Sequence, residues 1–128
     1  WASQYNTSVE RIFILQKKAL RIVCKKPWGA NTQQLFKLLH TLKLTDINRH
    51  QTCCFMYRAI NNQWPHFFTG YFKLNKDVHH YFTRQSQYVH QTNIRTTKRK
   101  FTIKSHGPTL WNSLPDILKD KPSFHTFS

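Results

Sequence analysis

From residue 78 to residue 115 the chain contains no aspartate or glutamate, yet it carries Arg84, Arg95, Lys98, Arg99, Lys100 and Lys104. Such a stretch cannot fold on internal ion pairs. Its order has to come from apolar burial and backbone hydrogen bonds, and its cations are left for solvent or a polyanion. The rest of the chain repeats the imbalance. Twenty Lys and Arg stand against five acids, a formal charge of +15. The excess concentrates in residues 1–26 and 73–104.

Enough apolar material remains for a core, 39% of residues with 15% aromatic, which excludes a disordered basic tail. The 128 residues fit one ordinary domain. The longest apolar run, IFIL at 12–15, is too short to span a bilayer, and no signal-peptide pattern is present. Cys24, Cys53 and Cys54 are odd in number and two are adjacent, so reduced thiols and an intracellular setting, nucleus or cytoplasm, are expected. Opening on Trp1 and stopping at Ser128 just after a helix start, the chain reads as a fragment.

Hydrophobic periodicity predicts a mostly α protein, a small helical domain with an irregular basic loop region and at most a short hairpin. A first helix is expected from about Thr7 to Lys26, capped by Thr7 or Ser8, with Glu10 in its first turn and Pro27 as its stop. Val9, Ile12, Phe13, Ala19, Leu20 and Val23 share one apolar arc of it. Arg11, Lys17, Lys18, Arg21 and Lys25 share the arc opposite, read as free of acids and interrupted by Ile14. A second helix is expected over Thr32–His40, built on Leu35, Phe36, Leu38 and Leu39. A third should run from Asp46 as N-cap to about Asn61, apolar nearly all round and therefore buried, and ended by Trp64-Pro65.

Beyond Gly70 the helical period fades. Phe101-Thr102-Ile103 alternates like a short strand. Pro108 is placed to open a helical turn carrying Leu110, Trp111 and Leu114, with Trp111 as a core plug whose entry and exit are set by Gly107-Pro108 and Pro115. Asp116–Lys119 forms another turn and Ser123 caps a last helix. Two segments result, helical 1–72 and a basic loop region, 73–128, that ends in the GPTLWNSLP turn and that helix.

Catalysis is not expected. Two-metal phosphoryl transfer needs converging carboxylates, and Glu10, Asp46, Asp77, Asp116 and Asp120 are dispersed. Gly29, Gly70 and Gly107 are isolated, so there is no phosphate-cradling loop. His79, His80 and His90 lack chelating spacing, so neither a metal nor another cofactor is expected. Phosphate contact is the chemistry the cations suit. The expected nucleic-acid-binding residues are Arg11, Lys17, Lys18, Arg21, Lys25, Arg84, Arg95, Lys98, Arg99, Lys100 and Lys104. Phe101, inside that run, is read as core rather than as a stacking platform. RNA or DNA is the expected partner, with no membrane and no small-molecule substrate.

Four phrases add a resemblance: LQKKALRIV (15–23), LKLTDI (42–47), HHYFTRQS (79–86) and FTIKSHGPTLWNSLP (101–115). In this order they are similar to the region after the palm in reverse transcriptases of non-LTR retrotransposons, LINE-type elements of the Jockey kind. The resemblance implies an origin in an RNA-directed DNA polymerase, with residues 1–72 thumb-like and 1–26 facing the RNA–DNA hybrid. His79, Tyr81, Thr83 and Arg84 match one family phrase, with His80 where a small polar residue is commoner. The palm and its paired aspartates are absent, so the implied role is support of polymerisation. Two alternatives stand beside it, a packing module docked on the palm and an inert remnant of a degraded element.

Overall fold

The computed structural model describes the backbone of residues 6–127 and the side chains of 9–127, so Trp1 lies outside the described residues. Helix dominates. The elements are α1 (Asn6–Val23), α2 (Thr32–Leu38), α3 (Leu44–Ile60), a 3₁₀ turn (His66–Phe68), α4 (Asn75–Val78), α5 (Thr97–Lys100), α6 (Ile103–Asn112), α7 (Asp116–Lys119) and α8 (Phe124–Phe127). Among the described residues the extended pairing is one antiparallel bridge, Leu74 with Val89. The chain divides into two compact units, one up to Arg49 and one from His50, so the division falls within α3 and the 72/73 change of composition lies inside the second unit.

α1 and α3 end before the prolines expected to stop them, and α2 ends at Leu38, short of the expected His40. Each closes on a residue in the left-handed region: Lys25 (φ 50°), His40 (φ 46°) and Asn62 (φ 53°). The closing bonds are Lys26 N–H to Arg21 O (2.9 Å), Thr41 N–H to Phe36 O (3.0 Å) and Gln63 N–H to Arg58 O (2.8 Å). These are the long bonds of the Schellman motif, so the helices are already finished when Pro27 and Pro65 arrive. Glycine is the usual occupant of that position, because a Cβ costs about 1–2 kcal/mol there. Lys25→Gly should therefore stabilise the fold by roughly 0.5–1 kcal/mol, after allowing for glycine's greater freedom in the unfolded chain. A urea titration followed by helical circular dichroism checks this, and a lower midpoint would refute the cap.

Unit one buries Leu20, Leu35 and Phe36, with Phe13 and Cys24 packed against them and the Phe13 and Phe36 rings 6.1 Å apart. Gln16 ties α1 to the start of α3: its Nε2 donates to Leu42 O (2.9 Å) and its Oε1 accepts from Leu44 N–H (3.0 Å). The expected apolar arc is only half realised. Val9 and Leu20 are buried and Phe13 partly so, but Ile12 and Val23 are 41% and 67% exposed and Ala19 is exposed. The reason is supply. α2 is seven residues long and contributes only Leu35 and Phe36 as buried side chains, while Leu38 and Leu39 point outward. Thr7 and Ser8 fall inside α1 rather than at its cap, and Glu10 lies beyond the first turn. Asp46 sits in the first turn of α3, not before it. Asn31 Oδ1 caps α2 by accepting from Gln33 N–H at 2.9 Å.

Unit two is organised around Met56, Tyr57, Val89 and Trp111, with Phe124 and Phe127 among the side chains packed on them. Half of the expectation for α3 is met: Cys53, Cys54, Met56 and Tyr57 are buried, whereas Ile47 is 38% exposed. Trp111 is 6% exposed and lies against Tyr57 and Phe127, so the plug reading of the GPTLWNSLP phrase stands. Its helical setting differs, however. α6 begins at Ile103, and Pro108 sits inside it, fully buried, rather than opening it. The expected strand is likewise replaced. Phe101 is the half-buried C-cap of α5 and Thr102 the N-cap of α6, so a cap residue lies where alternation suggested pairing. Asp116–Lys119 and the Ser123 cap are as expected, with Thr126 N–H donating to Ser123 Oγ at 3.4 Å.

All three cysteines are free, and Cys53 and Cys54 are buried. Burial pushes the Cys54 thiol above the ordinary thiol range, and the nearby Arg58 guanidinium offsets part of that. A raised value means that the folded state holds the proton more tightly. The thiol therefore favours folding below the ordinary range and ceases to as pH rises through its folded value. At neutral pH, Cys54 should react with a thiol reagent slower than the partly exposed Cys24. Urea should abolish the difference, as mass mapping of labelled peptides would test.

Candidate nucleic-acid interface

The cations form separate groups, and each unit carries its own. On α1, Lys17, Lys18 and Arg21 are partly buried and Arg11 is exposed, as is Lys25 just past the helix end. Lys17 Nζ stands 4.2 Å from the Phe13 ring centre. Lys18 Nζ and the Arg21 guanidinium carbon lie 5.0 and 5.9 Å from the ring centre of Trp28. Arg21 Nε also donates to Ala30 O at 3.2 Å, and Ala30 N–H donates to Pro27 O at 3.0 Å. The guanidinium thus pins the turn that presents the indole.

Trp28 is 70% exposed despite its size. An open aromatic face bordered by cations is the composition of a single-strand stacking platform, where π-face and phosphate contacts act together. In the sequence Pro27 signals a helix stop and gives no sign of the indole's role. A Pro-Trp-Gly turn just after a basic helix was the available signal. The arc itself needs one correction. Helical spacing places Glu10 on it, two turns before Lys17, so the acid-free part begins after the first turns of α1.

In unit two, Lys98, Arg99 and Lys100 occupy the single turn of α5 and are exposed. Consecutive helical residues diverge by about 100°, so the three cannot face one point. Arg99 lines a cavity of about 390 Å³ with Thr102, Lys104, Tyr71, Thr92 and Asn93, none of them acidic. Lys104 Nζ stands 5.1 Å from the Tyr71 ring centre. Thr102 caps α6 by position only, because its Oγ1 donates to Arg99 O at 2.7 Å and accepts nothing from the helix. The Ile103 and Lys104 N–H groups at the start of this ten-residue helix therefore have no acceptor among the described residues. Free N–H groups, the positive end of a helix dipole and two cations suit an anion of phosphate size.

Arg95 is exposed before α5, and Arg84 stands apart from this group. Arg84 lines a cavity of about 650 Å³ with Asp116, Asp120 and Lys119, so its surroundings include carboxylates. Among the described residues the ion pair formed is Lys119 Nζ with Asp116 Oδ1, 3.0 Å. No acid lines the cavity that Arg99 and Lys104 share.

No cluster of three or more His, Cys, Asp or Glu side chains able to hold a metal occurs among the described residues. Among them, too, no helix is long and apolar enough to cross a membrane. Comparison of the chain with protein-family models, with curated proteins and with solved structures returns no match.

Proposed function

We propose that this chain is a non-catalytic nucleic-acid-binding segment that grips RNA or DNA through backbone phosphates. The observation that carries this reading is the acid-free cavity lined by Arg99 and Lys104 at the uncapped start of α6. The cation-bordered Trp28 on unit one supports it independently. Such contacts neutralise phosphates and release counterions, so affinity depends on salt and little on sequence. The parent activity we infer from the resembling phrases is RNA-directed DNA polymerisation, to which this chain contributes template or hybrid binding without catalytic carboxylates. The intracellular, reducing setting belongs to the same reading.

The test is binding of the purified chain to a labelled RNA–DNA hybrid, duplex DNA and single-stranded RNA across a salt series. Log affinity should fall by several units per log unit of salt. A folded chain that fails to bind at low salt would overturn the reading.

A second reading has its own observation. Ile12, Leu15, Ile22 and Val23 follow a helical stripe on α1 and are 41%, 61%, 76% and 67% exposed. An uncovered stripe of this kind suits docking on another protein surface, the polymerase palm in the resembling family. Co-elution with a co-expressed palm domain, lost on changing Leu15 and Ile22 to Ser, would favour that reading.

A further inference from the structure

A hollow beside the Leu74–Val89 bridge of unit two differs in chemistry from the phosphate cavity. It measures about 510 Å³, a size that admits a flat heterocycle, and it lies along the segment from His79 to Gln91. No Lys, Arg, Asp or Glu lines it. Its polar wall is made of the Tyr81 and Thr83 hydroxyls, the Gln85 and Gln91 amides and the His79 and His90 rings. In a chain of +15 that absence of cations makes the hollow a poor phosphate site. Its groups match the hydrogen-bonding edge of an uncharged ring.

The wall is built by contacts distant in sequence. The Leu74–Val89 bridge brings the start of α4 beside the segment around Val89. Asn112 of α6 then holds Val89 twice, its Oδ1 accepting from the Val89 N–H (3.0 Å) and its Nδ2 donating to the Val89 carbonyl (2.9 Å). Asn75 Nδ2 donates to Gln85 O at 2.9 Å, which fixes the amide's orientation. Its Oδ1 then faces His90 Nδ1 at 3.1 Å, so that nitrogen carries a hydrogen and donates, which leaves Nε2 unengaged by Asn75.

Stacking surface is present as well. The His79 and Tyr81 rings are near parallel, centres 5.6 Å apart, and His90 meets His79 edge-on at 5.6 Å. Tyr81 is nevertheless 67% exposed, so a ring face remains open. Side-chain acceptors and donors beside an open aromatic are how unpaired bases are read on their edges.

We propose that this hollow receives one unpaired nucleobase, stacked at Tyr81 and hydrogen-bonded by Gln85, Gln91 and His90. The proposal rests on the nucleic-acid reading above and assigns a substrate feature to it, a single-stranded or flipped-out nucleotide. It also gives the HHYFTRQS phrase and Asn112 of GPTLWNSLP one shared purpose, since both build the same wall.

Neutral nucleosides separate this site from the phosphate grip, because they carry no charge. The whole chain is titrated with adenosine, guanosine, cytidine and uridine while the His79 and His90 ring resonances are followed. At least one nucleoside should bind saturably at millimolar concentration, with affinity unchanged between about 50 and 500 mM salt. Tyr81→Ala should weaken it about tenfold, the loss of one stacked base, while Tyr81→Phe should keep most of it. The variant with Lys98, Arg99 and Lys100 changed to Glu should bind nucleoside normally. Absence of nucleoside binding up to the solubility limit, or equal binding by Tyr81→Ala, overturns the proposal even if polynucleotides still bind in a salt-dependent way. Loss of that polynucleotide binding alone would instead strike the phosphate reading.

Discussion

Reversing the charges of Lys98, Arg99 and Lys100 to Glu should weaken binding of RNA and DNA alike by at least about tenfold near 0.1 M salt. The slope of log affinity against log salt should flatten by as much as about 3 units, close to one for each phosphate contact removed. The fold should survive, because α5 is a single exposed turn with no buried residue. Arg99 is expected to dominate, since it shares a cavity with Lys104 and the start of α6 while its two neighbours diverge from it. Single reversals measured in the same assay would rank them. A variant that kept its affinity and slope, or changed only its preference among base sequences, would sink the phosphate account.

Trp111→Ala should destabilise unit two by about 3–5 kcal/mol, the usual cost of emptying a buried aromatic site. That loss is comparable with the whole stability of a small domain, so the variant should lose cooperative unfolding and its near-ultraviolet dichroism. The indole contacts both Tyr57 and Phe127, and those two rings stack 4.6 Å apart, so its removal unsupports a cluster and not one contact. Gly107 tests the same packing from the opposite side. A Cβ added there would lie 2.6 Å from Met56 Sδ and 3.3 Å from its Cγ, and Met56 is fully buried. Gly107→Ala should cost about 1–3 kcal/mol by overpacking, partly offset by alanine's better helix propensity of up to about 1 kcal/mol. An unchanged urea midpoint for either variant would contradict this description of the core.

Much of the molecule is legible locally. Mostly helical structure, the span of α1 to within a few residues, the plug role of Trp111 and the Ser123 cap all follow from spacing and short-range hydrogen bonding. Such features involve neighbours along the chain, whose geometry the backbone nearly dictates. Errors arose where the outcome depended on supply from elsewhere. Ile12, Ala19 and Val23 belong to an apolar arc, but burial needs a covering surface, and α2 is too short to provide one. Phe101-Thr102-Ile103 alternates, but a strand needs a partner strand, and here these residues instead end α5 and begin α6.

The candidate sites divide the same way. That the chain is a polycation with an acid-free stretch is decided by composition, because no fold can supply carboxylates the chain lacks. Which cations act together is decided by tertiary structure alone. Arg84 and Arg99 read alike as residues, yet one shares a cavity with Asp116 and Asp120 and the other with Lys104. His79 and His90 are eleven positions apart with no chelating spacing, and the Leu74–Val89 bridge closed by Asn112 brings them edge to face at 5.6 Å. Charge is a sum over the sequence, whereas proximity across long stretches comes from packing that no local pattern encodes.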